Sequence, residues 1–209
     1  MAAHTPPAIG RPVILRTGAE APPASLIYLD DAIEPGLWGR LTAYLHHRFD
    51  GQFSQIIYRH HHLMRETGDR YGSFDSELDV VLGTAVGARV LVAHSRTALA
   101  ALAWTASSQR RARMLTALVL FAPVTEEVWI PGDAELHRLR MIPTWVVTDR
   151  TAGTDHQAPT AQWIQMLWAD HEAISFGGHR FPSTDPVWAA EPILAALRVA
   201  HDTQLREGS

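Results

Sequence analysis

The 209-residue chain contains no cysteine and no lysine, so all 18 basic side chains are arginines, set against 22 carboxylates and 12 histidines. Each absence removes a chemistry. Without cysteine there is no disulfide frame, no thiolate nucleophile and no cysteine-bound zinc or iron–sulfur centre. Without lysine there is no Schiff base to a pyridoxal cofactor and no phosphate-loop amine. Long apolar runs are missing too: none approaches the roughly 20 residues that span a bilayer. The start, Met1-Ala2-Ala3-His4-Thr5-Pro6-Pro7, lacks the basic and apolar regions of a secretory signal. A cytoplasmic protein is expected. Positive charge is also thin, with a net charge of −4 and arginines scattered apart from Arg110, Arg111 and Arg113. No basic stripe tracks a phosphate backbone, so neither nucleic acid nor a membrane is expected as a partner.

What remains for chemistry is Ser, Thr, His, Asp, Glu, Tyr and Arg, and no cofactor or metal is expected. With 46% hydrophobic residues, a chain of this length can bury roughly 70% of its unfolded surface in one core. Residues 1–11 and 201–209 are polar or Pro-rich and read as loose tails around a single domain over 12–200.

Within that domain short apolar runs alternate with helical patterns. The runs begin at Pro12, Ser25, Gln55, Arg89, Leu118, Thr144 and Ala173, the last reaching Phe176. Runs of this kind without strict alternation read as strands buried on both faces. Between them, Leu37, Leu41, Tyr44 and Leu45 share one helical face, as do Leu78, Val81, Leu82 and Val86. Further helices are predicted over 96–106, 159–169 and 186–200, the last opening on Pro186. Alternating strand and helix predicts an α/β fold, a mostly parallel sheet of about seven strands with helices on both faces in three layers. Ligand sites in such sheets lie off the carboxyl ends of the strands. The residues that follow each run therefore matter most: Asp30 and Asp31, His60 to His62, Ser95, Glu126 and Glu127, Asp149, and His179.

The sharpest local pattern is Arg89-Val90-Leu91-Val92-Ala93-His94-Ser95-Arg96-Thr97, an apolar strand that meets a serine and passes straight into an alanine-rich helix. A serine on so tight a turn projects its hydroxyl above the sheet, at a helix N-terminus that favours negative charge. Small residues are needed two positions to either side. Ala93 meets that need, while Thr97 is larger than the usual glycine. The competing reading is a plain N-cap serine, the commoner fate of a serine before a helix. Later, Gly177 and Gly178 precede His179, giving a loop that can carry an imidazole across the rim, where a near-neutral base is useful. A surface histidine in a turn is the alternative.

Taken together, Ala93-His94-Ser95-Arg96-Thr97, Ile142-Pro143-Thr144-Trp145-Val146-Val147-Thr148-Asp149 and Gly177-Gly178-His179-Arg180-Phe181 resemble the α/β-hydrolase family, in its chain order of Ser, Asp and His. The resemblance covers roughly residues 12 to 198. It implies a triad of Ser95 as nucleophile, His179 as general base and acid, and Asp149 as the carboxylate that orients the imidazole. Asp155 and Glu126 or Glu127 are alternative carboxylates. It further implies that backbone near Asp31, Ala32 and Arg96 binds the oxyanion.

One departure stands out, because the family places a Gly-rich or His-Gly stretch where this chain has Leu29-Asp30-Asp31-Ala32-Ile33. An ionised carboxylate about 6 Å from a developing oxyanion costs roughly 3 kcal/mol at an effective dielectric near 20, on the order of a hundredfold in rate. Either the carboxylates turn away or one serves another reaction; a third reading has them simply turn the chain toward the next helix. His60-His61-His62 read as lining of the pocket mouth, since adjacent histidines rarely share one metal ion. The stretch between Phe121 and Thr144 is short for a helical cap, so 123–142 is expected as a small lid, with Trp129 a substrate contact. Trp104, Trp145, Trp163, Trp168 and Trp188 are expected in the core.

The activity implied is cleavage of a small-molecule ester or thioester, free or carrier-bound, through an acyl-enzyme on Ser95. Two alternatives stand beside it: a lyase, isomerase or cyclase using His179 and a nearby acid, and a binding module without catalysis. A small lid is also compatible with a second copy of the chain helping to close the site.

Overall fold

The computed structural model describes residues 13–18, 22–31, 36–60, 72–123, 129–149, 154–174 and 181–207. Strands β1 (Val13–Thr17) and β2 (Ala24–Asp31) lead to helix α1 (Gly39–Arg48), β3 (Ser54–His60) and α2 (Gly72–Gly83). Then come β4 (Ala88–His94), α3 (Arg96–Ala106), α4 (Gln109–Arg113), β5 (Ala117–Phe121) and α5 (Asp133–Arg140). The chain finishes with β6 (Thr144–Asp149), α6 (Thr154–Leu167), β7 (Asp170–Ile174), α7 (Phe181–Thr184) and α8 (Pro186–Glu207).

The seven strands form one sheet in the order β1-β3-β2-β4-β5-β6-β7. Only β1 runs antiparallel, against β3, and every other pairing is parallel. Alternation along each strand sorts the core into two halves. Ile27, Leu29, Leu91, Ala93, Leu118, Leu120 and Val146 face a layer built from α2, α3, α5 and α6. Leu26, Tyr28, Val90, Val92, Val119, Phe121 and Val147 face α1 and α8. Alanines at 98, 100 and 101 let α3 lie close on the sheet.

This topology has a switch point. From β2 the chain leaves through α1 on one face, while from the adjacent β4 it leaves through α3 on the other. A crevice therefore opens between the carboxyl ends of β2 and β4, the place where open α/β sheets bind ligands.

Several expectations need correction. The last strand starts at Asp170 rather than Ala173 and is described as far as Ile174; among the described residues it pairs only with β6, and an edge strand tolerates the polar Asp170-His171-Glu172 that hides it from a search for apolar runs. Helix α2 stops at Gly83, so Val86 lies beyond it and is exposed. Trp168 and Trp188 are not core residues: they are 74% and 55% exposed, and the Trp168 ring is covered by the Arg140 guanidinium at 4.2 Å. Within the segment 123–142 expected as a lid, residues 133–140 form α5, which packs against α3 and buries Leu139. Trp104, Trp145 and Trp163 are buried as expected. No described helix is long and apolar enough to cross a membrane.

One ionic cluster holds α2, α3 and α4 together. The Arg111 guanidinium donates to Asp75 at 2.6 Å and to both oxygens of Asp79 at 2.9 and 3.0 Å. It also lies 5.5 Å over the Trp104 ring, whose Nε1–H donates to Asp79 at 3.0 Å. Burial works to lower the Arg111 pKa, but hydrogen bonds to Asp79 and Asp75 outweigh it and raise the value. The basic triplet at 110–113 is thus partly a structural tie.

Candidate active site

Ser95 links β4 to α3 with φ 54° and ψ −121°. Such a backbone is strained for any residue but glycine and costs about 1–3 kcal/mol. What the turn gains is position. The Ser95 N–H still donates to the Phe121 carbonyl at 2.8 Å, completing the ladder between β4 and β5, while the side chain leaves the sheet at the start of α3. The hydroxyl makes no capping bond to that helix, which removes the N-cap reading. The same exit is repeated one strand along, where Ala122 has φ 42° and its N–H donates to Val147 at 2.8 Å.

Thr97 is accommodated by bonding rather than by smallness. Its buried hydroxyl donates to the His94 carbonyl at 2.8 Å and accepts the His94 N–H at 3.0 Å, with the Leu29 carbonyl oxygen 3.5 Å away. The Leu29 carbonyl also accepts the Trp38 Nε1–H at 2.9 Å. Register explains why that carbonyl is available: pairing of β2 with β4 ends at Tyr28 and Val92. Trp38 is fully buried, its ring 5.3 Å from Tyr28 and 5.9 Å from Phe121. Two side chains from different layers therefore converge on the end of β2 beside the Ser95 turn. Neither contact is visible in the sequence, since Leu29 and Thr97 are 68 positions apart.

Asp30 is 1% exposed and its Oδ2 receives the Arg59 Nε–H at 2.8 Å and Nη2–H at 2.7 Å. Strand alternation places it with Tyr28 on the α1 and α8 face. Asp30 is thus turned off the rim and compensated by a guanidinium its own register brings alongside, Asp30 lying opposite Arg59 in the β2–β3 pairing. Asp31 ends β2, at the crevice by its backbone position.

The remaining expected residues distribute as follows. Asp149 ends β6, two strands from β4 in the sheet order, or about 10 Å at ordinary strand spacing. Asp155 lies in the first turn of α6, not in the preceding connection. Arg96 opens α3 and is exposed; first-turn helix N–H groups have no intrahelical acceptor. Trp129 is half-buried and stacks on Trp163 at 5.9 Å, against the α2, α3, α5 and α6 layer. Ala32, His61, His62, Glu126, Glu127 and His179 lie outside the described residues. Among the described residues no three His, Asp or Glu side chains are grouped as metal ligands.

The arrangement defines, first, a doubly wound α/β protein with a strained serine at its topological switch point. The comparisons carry that one step further. No protein-family profile and no curated protein matches the sequence, but solved structures do. A carboxylesterase of the thaumarchaeon Nitrososphaera gargenis superposes with a TM-score of 0.67 at 10% identity, over 92% of this chain and 96% of that one. A thioesterase domain from the curacin biosynthetic pathway gives 0.66 at 15% identity, over 88% and 95%. A thermophilic esterase from Thermogutta terrifontis gives 0.64 at 13% identity, over 91% and 94%. The chain has the α/β-hydrolase fold.

Proposed function

We propose that this protein is a serine hydrolase that cleaves a carboxylic ester or thioester of a small molecule through an acyl-enzyme on Ser95. The Ser95 oxygen attacks the acyl carbon while His179 takes its proton. The resulting oxyanion is held by backbone N–H groups, one from Arg96 at the start of α3 and one from the chain around Asp31 and Ala32. Collapse expels the alcohol or thiol, protonated by His179, and water then releases the acid by the same steps in reverse roles. Asp149, at the end of β6, orients the imidazole. Arg96 and Trp129 flank the incoming substrate, which can be a free or a carrier-bound acyl group. A second copy of the chain closing the mouth remains part of this reading, as does a cytoplasmic setting.

The observation that carries the reading is the Ser95 backbone, held at φ 54° and ψ −121° with no capping bond. A helix start that needed only a cap has no use for that strain. The ion pair of Asp30 with Arg59 favours hydrolysis over a lyase, isomerase or cyclase, because it engages one of the two acids on which such chemistry would draw. The test is labelling with a fluorophosphonate. Stoichiometric modification is expected in the native protein, none in Ser95→Ala, and a rate at least about 100-fold lower in His179→Ala. A folded native protein that takes up no label overturns the reading and leaves the binding module.

A further inference from the structure

We infer that the protein carries a second ligand site, at the opposite end of the sheet from Ser95, that takes an amphipathic carboxylate. A cavity of about 300 Å³ opens where β2 and β3 begin, between the end of α1 and the second half of α8. Its walls are Phe49, Phe53, Leu194 and Leu197, and its edge carries Arg198 and His201. β2 separates the two ends: from Ala24 beside the cavity to Asp31 at the rim is roughly 23 Å of extended chain.

The lining states the ligand chemistry. The volume falls in the range that accommodates small organic molecules, and such sites pair apolar walls with a few polar groups that fix orientation. Here the walls are aromatic and aliphatic, and no carboxylate lines the cavity. Arg198 and His201 have no hydrogen-bond or ion-pair partner among the described residues. A guanidinium presents paired donors that match a carboxylate, and an imidazole adds another donor. Arg48, 5.8 Å over the Phe49 ring, adds positive charge to the same end of the molecule. An apolar body in the cavity with an anionic head at its edge satisfies both halves of this surface, whereas a neutral apolar molecule leaves the cationic edge unused.

Octanoate is the probe, with octan-1-ol and acetate as controls, measured by NMR titration of the full chain. Octanoate is expected to show intermolecular NOEs to the Phe49 and Phe53 rings and to bind Arg198→Gln about tenfold more weakly than the native protein, as loss of a charge-assisted hydrogen bond predicts. Octanol is expected to bind both proteins equally, and acetate neither. Arg198 is exposed, so its substitution leaves the fold intact. Absence of NOEs to both rings, or equal octanoate affinity in the two proteins, overturns the proposal.

Discussion

Two serines stand one residue before a helix in this protein, and they do different things. Ser108 precedes α4 with extended backbone at φ −155° and ψ 151°, and its hydroxyl accepts the Arg111 N–H at 3.2 Å. That is an ordinary cap, satisfying one of the orphan donors of a helix start. Ser95 precedes α3 in a strained conformation and caps nothing. In sequence the two look alike. The difference is that Ser108 is spent on its own helix, while Ser95 is held out of that role by the neighbouring strands, its N–H tied to β5 and its turn clamped by Thr97.

That contrast can be tested from its strongest element downward. Thr97→Val keeps the shape and removes the hydroxyl, leaving the His94 N–H without its acceptor. It is expected to lower unfolding free energy by about 1–3 kcal/mol and to slow fluorophosphonate labelling at Ser95, with Thr97→Ser restoring much of both; denaturant melts and labelling rates measured together show whether the clamp serves the turn. Next, Ser95→Gly relieves the strained dihedrals at some cost in chain entropy. A net gain of about 1 kcal/mol is expected, and a melt showing a loss would mean the turn is not strained. Smallest is Ser108→Ala, which should cost about 0.5 kcal/mol, the low end for a cap on so short a helix, while leaving the labelling rate at Ser95 unchanged. A large effect of Ser108→Ala on labelling would erase the distinction between the two serines.

Much of the fold is legible because the central strands are buried on both faces and read as apolar runs; β4 and β5 are found almost to the residue. What escapes the sequence is whatever the core does not mark. Helix α5 buries only Leu139, and α4 only Ala112, so neither shows an apolar stripe. β7 is polar because it is an edge. Trp168 and Trp188 mislead because a large apolar side chain on a helical pattern need not face inward; Trp168 instead sits just past α6 with φ 54°. Of the candidate site, the positions of Ser95 between β4 and α3 and of Asp149 at the end of β6 are legible from strand-to-loop transitions. The role of Asp30 is not, since its partner Arg59 is found only through the parallel register of β2 with β3.

Thr97 has a consequence for how such proteins are sought. Glycine near a turn of this kind is a proxy: what the geometry demands is that the start of α3 come close to the ends of β2 and β4. Here a hydroxyl ties the start of α3 to the end of β4, through the His94 carbonyl and N–H. A search pattern written on glycine passes over any chain that solves the crowding by attraction instead of by emptiness, and a designer restoring glycine at 97 would delete the clamp in the name of consensus.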